Sequence, residues 1–184
     1  IGNVPLILEG FVHFEREVSI VGVRSTTGEV RAYPIVANTH KDGILRVTLA
    51  PHRHPDLQKA AEICLKRVLR HFEYAGVLTL EFFVARGRLV ANEMAPRVHN
   101  SGHWTIEGAE VSQFENHLRA VLGWPLGDPS PRGHAAMLNL IGTQPRPEAI
   151  LALPGAHLHD YGKHPRPERK LGHCTLVDAD RARL

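Results

Sequence analysis

Cysteine is almost missing from this chain: Cys64 and Cys174 are the only two in 184 residues. Cys64 reads as part of the apolar face of a helix and Cys174 as part of a strand-like run. No disulfide framework is therefore expected, and a reducing cytoplasm is the natural setting. Long apolar runs are missing as well. None approaches the ~18 residues of a membrane-spanning helix, so no membrane partner is expected. The first residues lack the basic start and small-residue cleavage site of a secretory signal. Charge of one sign is also scarce. The pI is near 9.1, yet the net charge is only +3 and the basic residues are dispersed. With no aromatic platform between them, nucleic acid is not an expected partner, and an anionic small molecule explains the mild excess. Histidine is plentiful, and His52 with His54 or His157 with His159 form pairs, but no complete ligand set at structural-zinc spacing occurs.

What the chain does have is the composition of a globular domain, 43% hydrophobic and 22% charged. It opens on Ile1 and enters an apolar run at once, as a segment of a longer protein would. Val4 to Leu8 reads as a short buried strand. Val18 to Ser25 and Glu29 to Val36 read as a hairpin, and Ile44 to Ala50 as a further strand. Asp56 to Phe72 is the clearest helix, with Leu57, Ala61, Cys64, Leu65, Val68 and Phe72 on one stripe. Ser112 to Leu122 is a second helix, opened by a Ser112/Glu115 capping box and faced by Phe114, Leu118 and Val121. Gly127 to Gly133 is a Pro/Gly-rich connector that divides the chain into 1–126 and 127–184. Beyond it, Ala135 to Ile141, Ala156 to Tyr161 and Lys170 to Val177 read as strands, with a helical turn near Glu148 to Leu153. Short groups of strands outnumber helices, so the expected class is α+β with mostly antiparallel pairing.

Glu81 and Glu93 stand in strand-like surroundings that otherwise read as core. An unpaired carboxylate in a sheet interior costs several kcal/mol. A three-residue loop, Arg86 to Arg88, sets Glu81 directly across from Glu93, whereas a two-residue loop sends them to opposite faces. The three-residue register also gathers Leu78, Leu80, Phe82, Val84, Val90 and Met94 on one core face, and is the one expected. Opposed carboxylates need a bridging cation or a shared proton. All-oxygen ligation favours Mg²⁺ or Mn²⁺ completed by water and phosphate oxygens. Two glutamates on a solvent-facing side, or a general acid/base pair, are the other readings that spacing leaves open.

Longer strings narrow the choice. Glu9-Gly10-Phe11-Val12, Glu17, Asn38-Thr39-His40 and the run NEMAPRVHNSGHW from Asn92 to Trp104 closely resemble the ATP-grasp 5-(carboxyamino)imidazole ribonucleotide synthases of purine biosynthesis. Ser112 to Glu115, Asn139 to Gly142 and Arg166 to His173 extend the likeness over essentially the whole chain. The resemblance implies the second ATP-grasp lobe, a mostly antiparallel sheet with packed helices, plus a small C-terminal β-rich domain. It implies a cytoplasmic, homodimeric ligase that carboxylates aminoimidazole ribonucleotide with bicarbonate, through carboxyphosphate, at the expense of ATP. Position by position, it implies that Glu9, Gly10, Phe11 and Val12 read adenine and that Glu17 accepts the ribose hydroxyls. His40 and Asn92 contact the nucleotide, and Glu81 and Glu93 hold Mg²⁺, or Mn²⁺. Arg97 and His99 act on bicarbonate and the transferring phosphoryl. Lys163, Arg169 and Lys170 take the 5′-phosphate.

These residue types suit that chemistry, since phosphoryl transfer needs positioning and charge neutralisation rather than covalent help. The family also carries an N-terminal Rossmann-like domain and a glycine-rich phosphate loop with two lysines. Neither is found in this sequence, so the expectation is a C-terminal half that does not turn over alone. Another purine-pathway ATP-grasp ligase, or a non-catalytic dimerising fragment, stays open as an alternative.

Overall fold

The structure, a computed structural model, describes residues 4–184. In chain order its elements are β1 (Arg16–Arg24), β2 (Val30–Ala32), β3 (Val36–Lys41), β4 (Ile44–Ala50), α1 (Pro55–His71), β5 (Gly76–Ala85), β6 (Arg88–Ala95), α2 (Thr105–Gly108), α3 (Gln113–Val121), β7 (His134–Ile141), α4 (Pro147–Leu151), β8 (Ala156–Asp160) and β9 (Lys170–Asp178). All strand pairs are antiparallel and join one sheet in the order β6-β5-β1-β3-β4-β7-β9-β8, with β2 beside β1. The α+β expectation holds.

Side chains alternate across a strand, and that alternation sorts the two faces. On one, Val18, Ile20, Leu78, Leu80 and Phe82 pack against Leu57, Ala61, Leu65 and Leu69 of α1. On the other, Val21, Val23 and Val77 join Trp104, Ala120 and Met137 in a second core. The remaining part of that second face is polar. There Glu17 and Ser19 of β1 lie beside Phe83 and Glu81 of β5.

Four local expectations need correction. Val4 to Leu8 is irregular rather than a strand; Leu8 is 99% exposed, and no described strand pairs with the segment. The predicted strand from Glu29 to Val36 is split into β2 and the start of β3 around Pro34, which has no N–H to give a ladder. In α1 the inward stripe runs through Leu69, while Cys64 and Phe72 are exposed.

The fourth concerns α3. Its Ser112 cap is present, the hydroxyl accepting from Glu115 N–H at 3.2 Å, but the predicted apolar face points outward and Leu118 is 58% exposed. Gln113, Asn116 and Ala120 face inward instead. The helix docks through hydrogen bonds. Asn116 donates to the Tyr33 hydroxyl at 2.8 Å and accepts from Gly127 N–H at 2.7 Å. A buried amide with every partner supplied can replace an apolar contact.

Candidate active site

The β5–β6 hairpin places the paired carboxylates, though not by the route its sequence suggested. Ala85 pairs with Arg88, so the loop is the two residues Arg86 and Gly87, at φ 51° and 70°. Two positive φ angles are what a type I′ turn requires. Continued unbroken, this register would set Asn92 across from Glu81 and turn Glu93 toward α1. The ladder instead pairs Phe82 with Ala91 and Glu81 with Glu93, leaving Asn92 as the extra residue of a β-bulge. The glutamates do face each other, and the bulge rather than the loop brings them there. Between the loop and the bulge, the two-residue register pairs Leu89 with Val84 and so puts Leu89, not Val90, onto the α1 core; Val90 is 37% exposed.

A second irregularity lies between β3 and β4, where Thr39 pairs with Val47 but His40 with Leu45. His40 meets β1, its Nδ1 2.8 Å from Glu17 Oε2. Glu17, His40, Glu81, Asn92, Glu93 and His99 thus line one hollow of about 440 Å³. Burial pushes the Glu81 carboxyl above its usual range, and the neighbouring Glu93 and Glu17 carboxylates push the same way against His40 and Arg97. No group of three or more His, Cys, Asp or Glu among the described residues is arranged to hold a metal. The donor set is two carboxylates with an amide beside them. Those are hard oxygen ligands that fit a cation completing its shell with water and phosphate, as Mg²⁺ and Mn²⁺ do, and not a closed zinc cage.

Beside this hollow is another of about 330 Å³, lined by Glu9, Gly10, Phe11, Val12, Phe14 and Phe83 among others. The Phe14 and Phe83 rings stack at 4.5 Å and 16°, giving a flat apolar wall of the kind a planar base can lie on. Asn92 lines both hollows, so the bulge residue is where they meet.

Beyond β6, Arg97 is exposed and donates to the Val98 carbonyl at 3.1 Å. His99 is buried, with Nε2 3.5 Å from Glu81 Oε1. Burial, then the Arg97, His40 and Lys170 charges, lower its pKa to about 4, so the ring is neutral near pH 7. From the far end of the chain, Lys163 and Lys170 hold their ammonium groups 5.3 and 5.4 Å from the Tyr161 ring centroid. Lys170 donates to Asn100 Oδ1, and burial, aided by Lys163, lowers its pKa to about 8. Arg169 is half-buried, its carbonyl accepting from Gly142 N–H at 2.8 Å.

Comparison with known proteins decides the family. Residues 1–114 match the ATP-grasp domain. The chain belongs to the ATP-grasp family. Residues 135–184 of this ATP-grasp chain match the phosphoribosylaminoimidazole carboxylase C-terminal domain. All 184 residues are 58% identical to 51% of the N5-carboxyaminoimidazole ribonucleotide synthase of Pseudomonas aeruginosa. Among solved structures, the N5-carboxyaminoimidazole ribonucleotide synthetase of Thermus thermophilus superposes with a TM-score of 0.93 at 58% identity, over 95% of this chain and 49% of that one. The N5-carboxyaminoimidazole synthase of Aspergillus clavatus, in complex with ADP and 5-aminoimidazole ribonucleotide, gives 0.87 at 32% identity, over 94% and 49%. The chain spans about half the length of these relatives.

Strand residues Glu17, His40, Glu81, Asn92 and Glu93 meet loop residue His99 at one hollow, and the irregular segment Glu9 to Val12 lines its neighbour. Lys163 and Lys170 meet at Tyr161, linked to the first hollow through Asn100. One residue that sequence reasoning missed is Gln113. Its Oε1 accepts from His99 N–H at 2.9 Å and its Nε2 donates to the His99 carbonyl at 2.7 Å, clamping that backbone from both sides. Gly102 leaves the room, since a Cβ there would come within 2.5 Å of Gln113 Oε1. The available signal was a glutamine directly after a helix cap, on the face opposite the apolar residues.

Proposed function

We propose that this chain supplies the metal-binding lobe and the C-terminal domain of a ligase that carboxylates aminoimidazole ribonucleotide in purine biosynthesis. The observation that carries the reading is the bulge-set Glu81/Glu93 pair, shared through Asn92 with an aromatic-walled hollow. It occurs in a chain 58% identical to an N5-carboxyaminoimidazole ribonucleotide synthase. In this reading Glu9 to Val12 present backbone and carboxylate to adenine, and Glu17 accepts both ribose hydroxyls. Glu81 and Glu93 would hold Mg²⁺, or Mn²⁺, which when bound neutralises the charge on the ATP phosphates.

Arg97's planar fork holds bicarbonate in line with the γ-phosphoryl. A bicarbonate oxygen attacks phosphorus, the bond to the ADP oxygen breaks, and carboxyphosphate forms. The exocyclic amine of aminoimidazole ribonucleotide takes the carboxyl group, losing a proton, and phosphate leaves. Neutral His99 and the Asn100 amide line the wall of that chamber, and Lys163, Arg169 and Lys170 take the 5′-phosphate. We read the division of the chain at 126/127 as a division of labour between nucleotide and ribonucleotide ends. The assembled protein is read as a cytoplasmic homodimer, which sedimentation velocity tests.

The experiment joins this chain to the upstream half of its Pseudomonas aeruginosa relative. Phosphate release from Mg²⁺-ATP in bicarbonate is then measured with and without aminoimidazole ribonucleotide. The fusion should release phosphate only with the ribonucleotide present, and the 184-residue chain alone should release none. A folded fusion indifferent to the ribonucleotide overturns the assignment, and robust turnover by the chain alone overturns the half-site reading.

A further inference from the structure

Behind the Glu81/Glu93 hollow runs a chain of buried polar side chains that the proposed reaction does not itself use. Thr48 Oγ1 donates to Asn38 Oδ1 at 3.0 Å. Asn38 Nδ2 donates to Ser19 Oγ at 2.9 Å, and Ser19 Oγ to Ser101 Oγ at 2.8 Å. Ser101 Oγ is 2.9 Å from His99 Nδ1, and His99 Nε2 faces Glu81 Oε1 at 3.5 Å. Thr48, Ser19 and Ser101 are wholly buried, and Asn38 and His99 nearly so. The chain crosses three strands, β4, β3 and β1, before reaching the loop after β6.

Hydroxyls and amides can turn around, so such a chain could run in either direction. One donor in it cannot reverse. The backbone N–H of Ser101 also points at His99 Nδ1, at 3.3 Å. A proton on Nδ1 would meet that N–H head-on, so Nδ1 must be the bare nitrogen. Ser101 Oγ–H then donates to it, Ser19 donates to Ser101, and Asn38 presents its amide hydrogens to Ser19. The imidazole proton is left on Nε2. The far end is compatible with this, since Nε2 lies 3.5 Å from Glu81 Oε1 and an N–H is the partner an ionised carboxylate takes.

We propose that Ser101 is a positioning residue: with Ser19, Asn38 and Thr48 behind it, it locks His99 as the Nε2–H tautomer and aims that hydrogen at Glu81. His99 is then a donor that orients a metal-binding carboxylate, not a base acting through Nε2. Groups behind a metal ligand commonly have this effect on its orientation. The consequence for metal binding rests on the ligase reading above; the tautomer does not.

Nitrogen-15 NMR of histidine-labelled 184-residue chain tests the lock without substrate or metal. His99 should show a protonated Nε2 and a bare Nδ1; a protonated Nδ1 overturns the proposal. Ser101→Ala should add a measurable Nδ1–H population, and a single unchanged tautomer would mean that Ser101 does not hold it. Ser19→Ala leaves Ser101 in place and should give the same change more weakly, which keeps the test open where Ser101→Ala does not fold. In the fusion enzyme, Ser101→Ala should raise the Mg²⁺ half-saturation about tenfold with the KM for aminoimidazole ribonucleotide unchanged. Equal losses in both would reduce Ser101 to a packing role. A fusion silent toward the ribonucleotide sinks the ligase reading, while the NMR result still decides the tautomer.

Discussion

Replacing Glu93 with Gln keeps the side chain's shape and removes its charge. Glu93 is exposed on the hollow side, so the fold has little to lose. In the fusion enzyme Glu93→Gln should lower Mg²⁺-dependent turnover at least about 100-fold, with the far-ultraviolet circular dichroism unchanged; retained turnover would move the metal elsewhere. A second residue-scale effect is set by histidines. Burial first, then neighbouring charges, lowers His99 to about 4 and His103 and His173 to about 3. An unfolded histidine takes up its proton near pH ~6.5. Below that pH the unfolded chain binds protons the folded chain refuses, so stability is complete above it and is lost as pH falls toward 4. The urea midpoint should therefore drop steadily between pH 6.5 and 4, and His173→Gln should flatten that slope. At this scale the residues of the hollow were legible because carboxylates in a strand are conspicuous. Gln113 and Ser101 were not. Gln113 bonds a backbone 14 positions away and Ser101 is held by a hydroxyl 82 positions away, and nothing in residue type or spacing announces such partners.

At the level of elements, periodicity located α1 and most strands, since a buried face repeats every 3.6 or every two residues. It failed on α3. The apolar residues there are the outward ones, because the inward face is satisfied by the Asn116 and Gln113 hydrogen bonds. It also failed on the hairpin loop, where two departures from regularity were needed to give the pairing that one was expected to give. Asn-Gly is the preferred pair for a type I′ turn, whereas Arg86 carries a side chain at φ 51°. Arg86→Asn should stabilise the chain by about 0.5–1 kcal/mol in urea unfolding, without altering the Glu81/Glu93 pairing. The Glu15 carboxylate would keep its bond, because it accepts from the backbone N–H of residue 86.

Taken whole, the molecule does not come apart at its Pro/Gly-rich connector. β7 pairs directly with β4, and Met137 and Ala135 are buried in the core that holds Trp104. His159 Nε2 lies 2.6 Å from Glu107 of α2, and Lys170 reaches Asn100. A chain ending at Gly133 would expose the β4 edge and one side of that core. It should lose cooperative unfolding, which denaturant titration followed by tryptophan fluorescence would show. The connector was legible in sequence as a break in composition, but composition carries no information on whether strands pair across a break.

The bulge at Asn92 has one consequence for how this hairpin can change. The alignment of Glu81 with Glu93 is set by two features together, the two-residue bend after Ala85 and, seven positions along from Ala85, the extra residue Asn92. The tip can drift in sequence or carry a fluorophore while the carboxylates stay in step, provided the bend keeps its two residues. It is a place where the chain tolerates tinkering within one strand's length of its least negotiable residues.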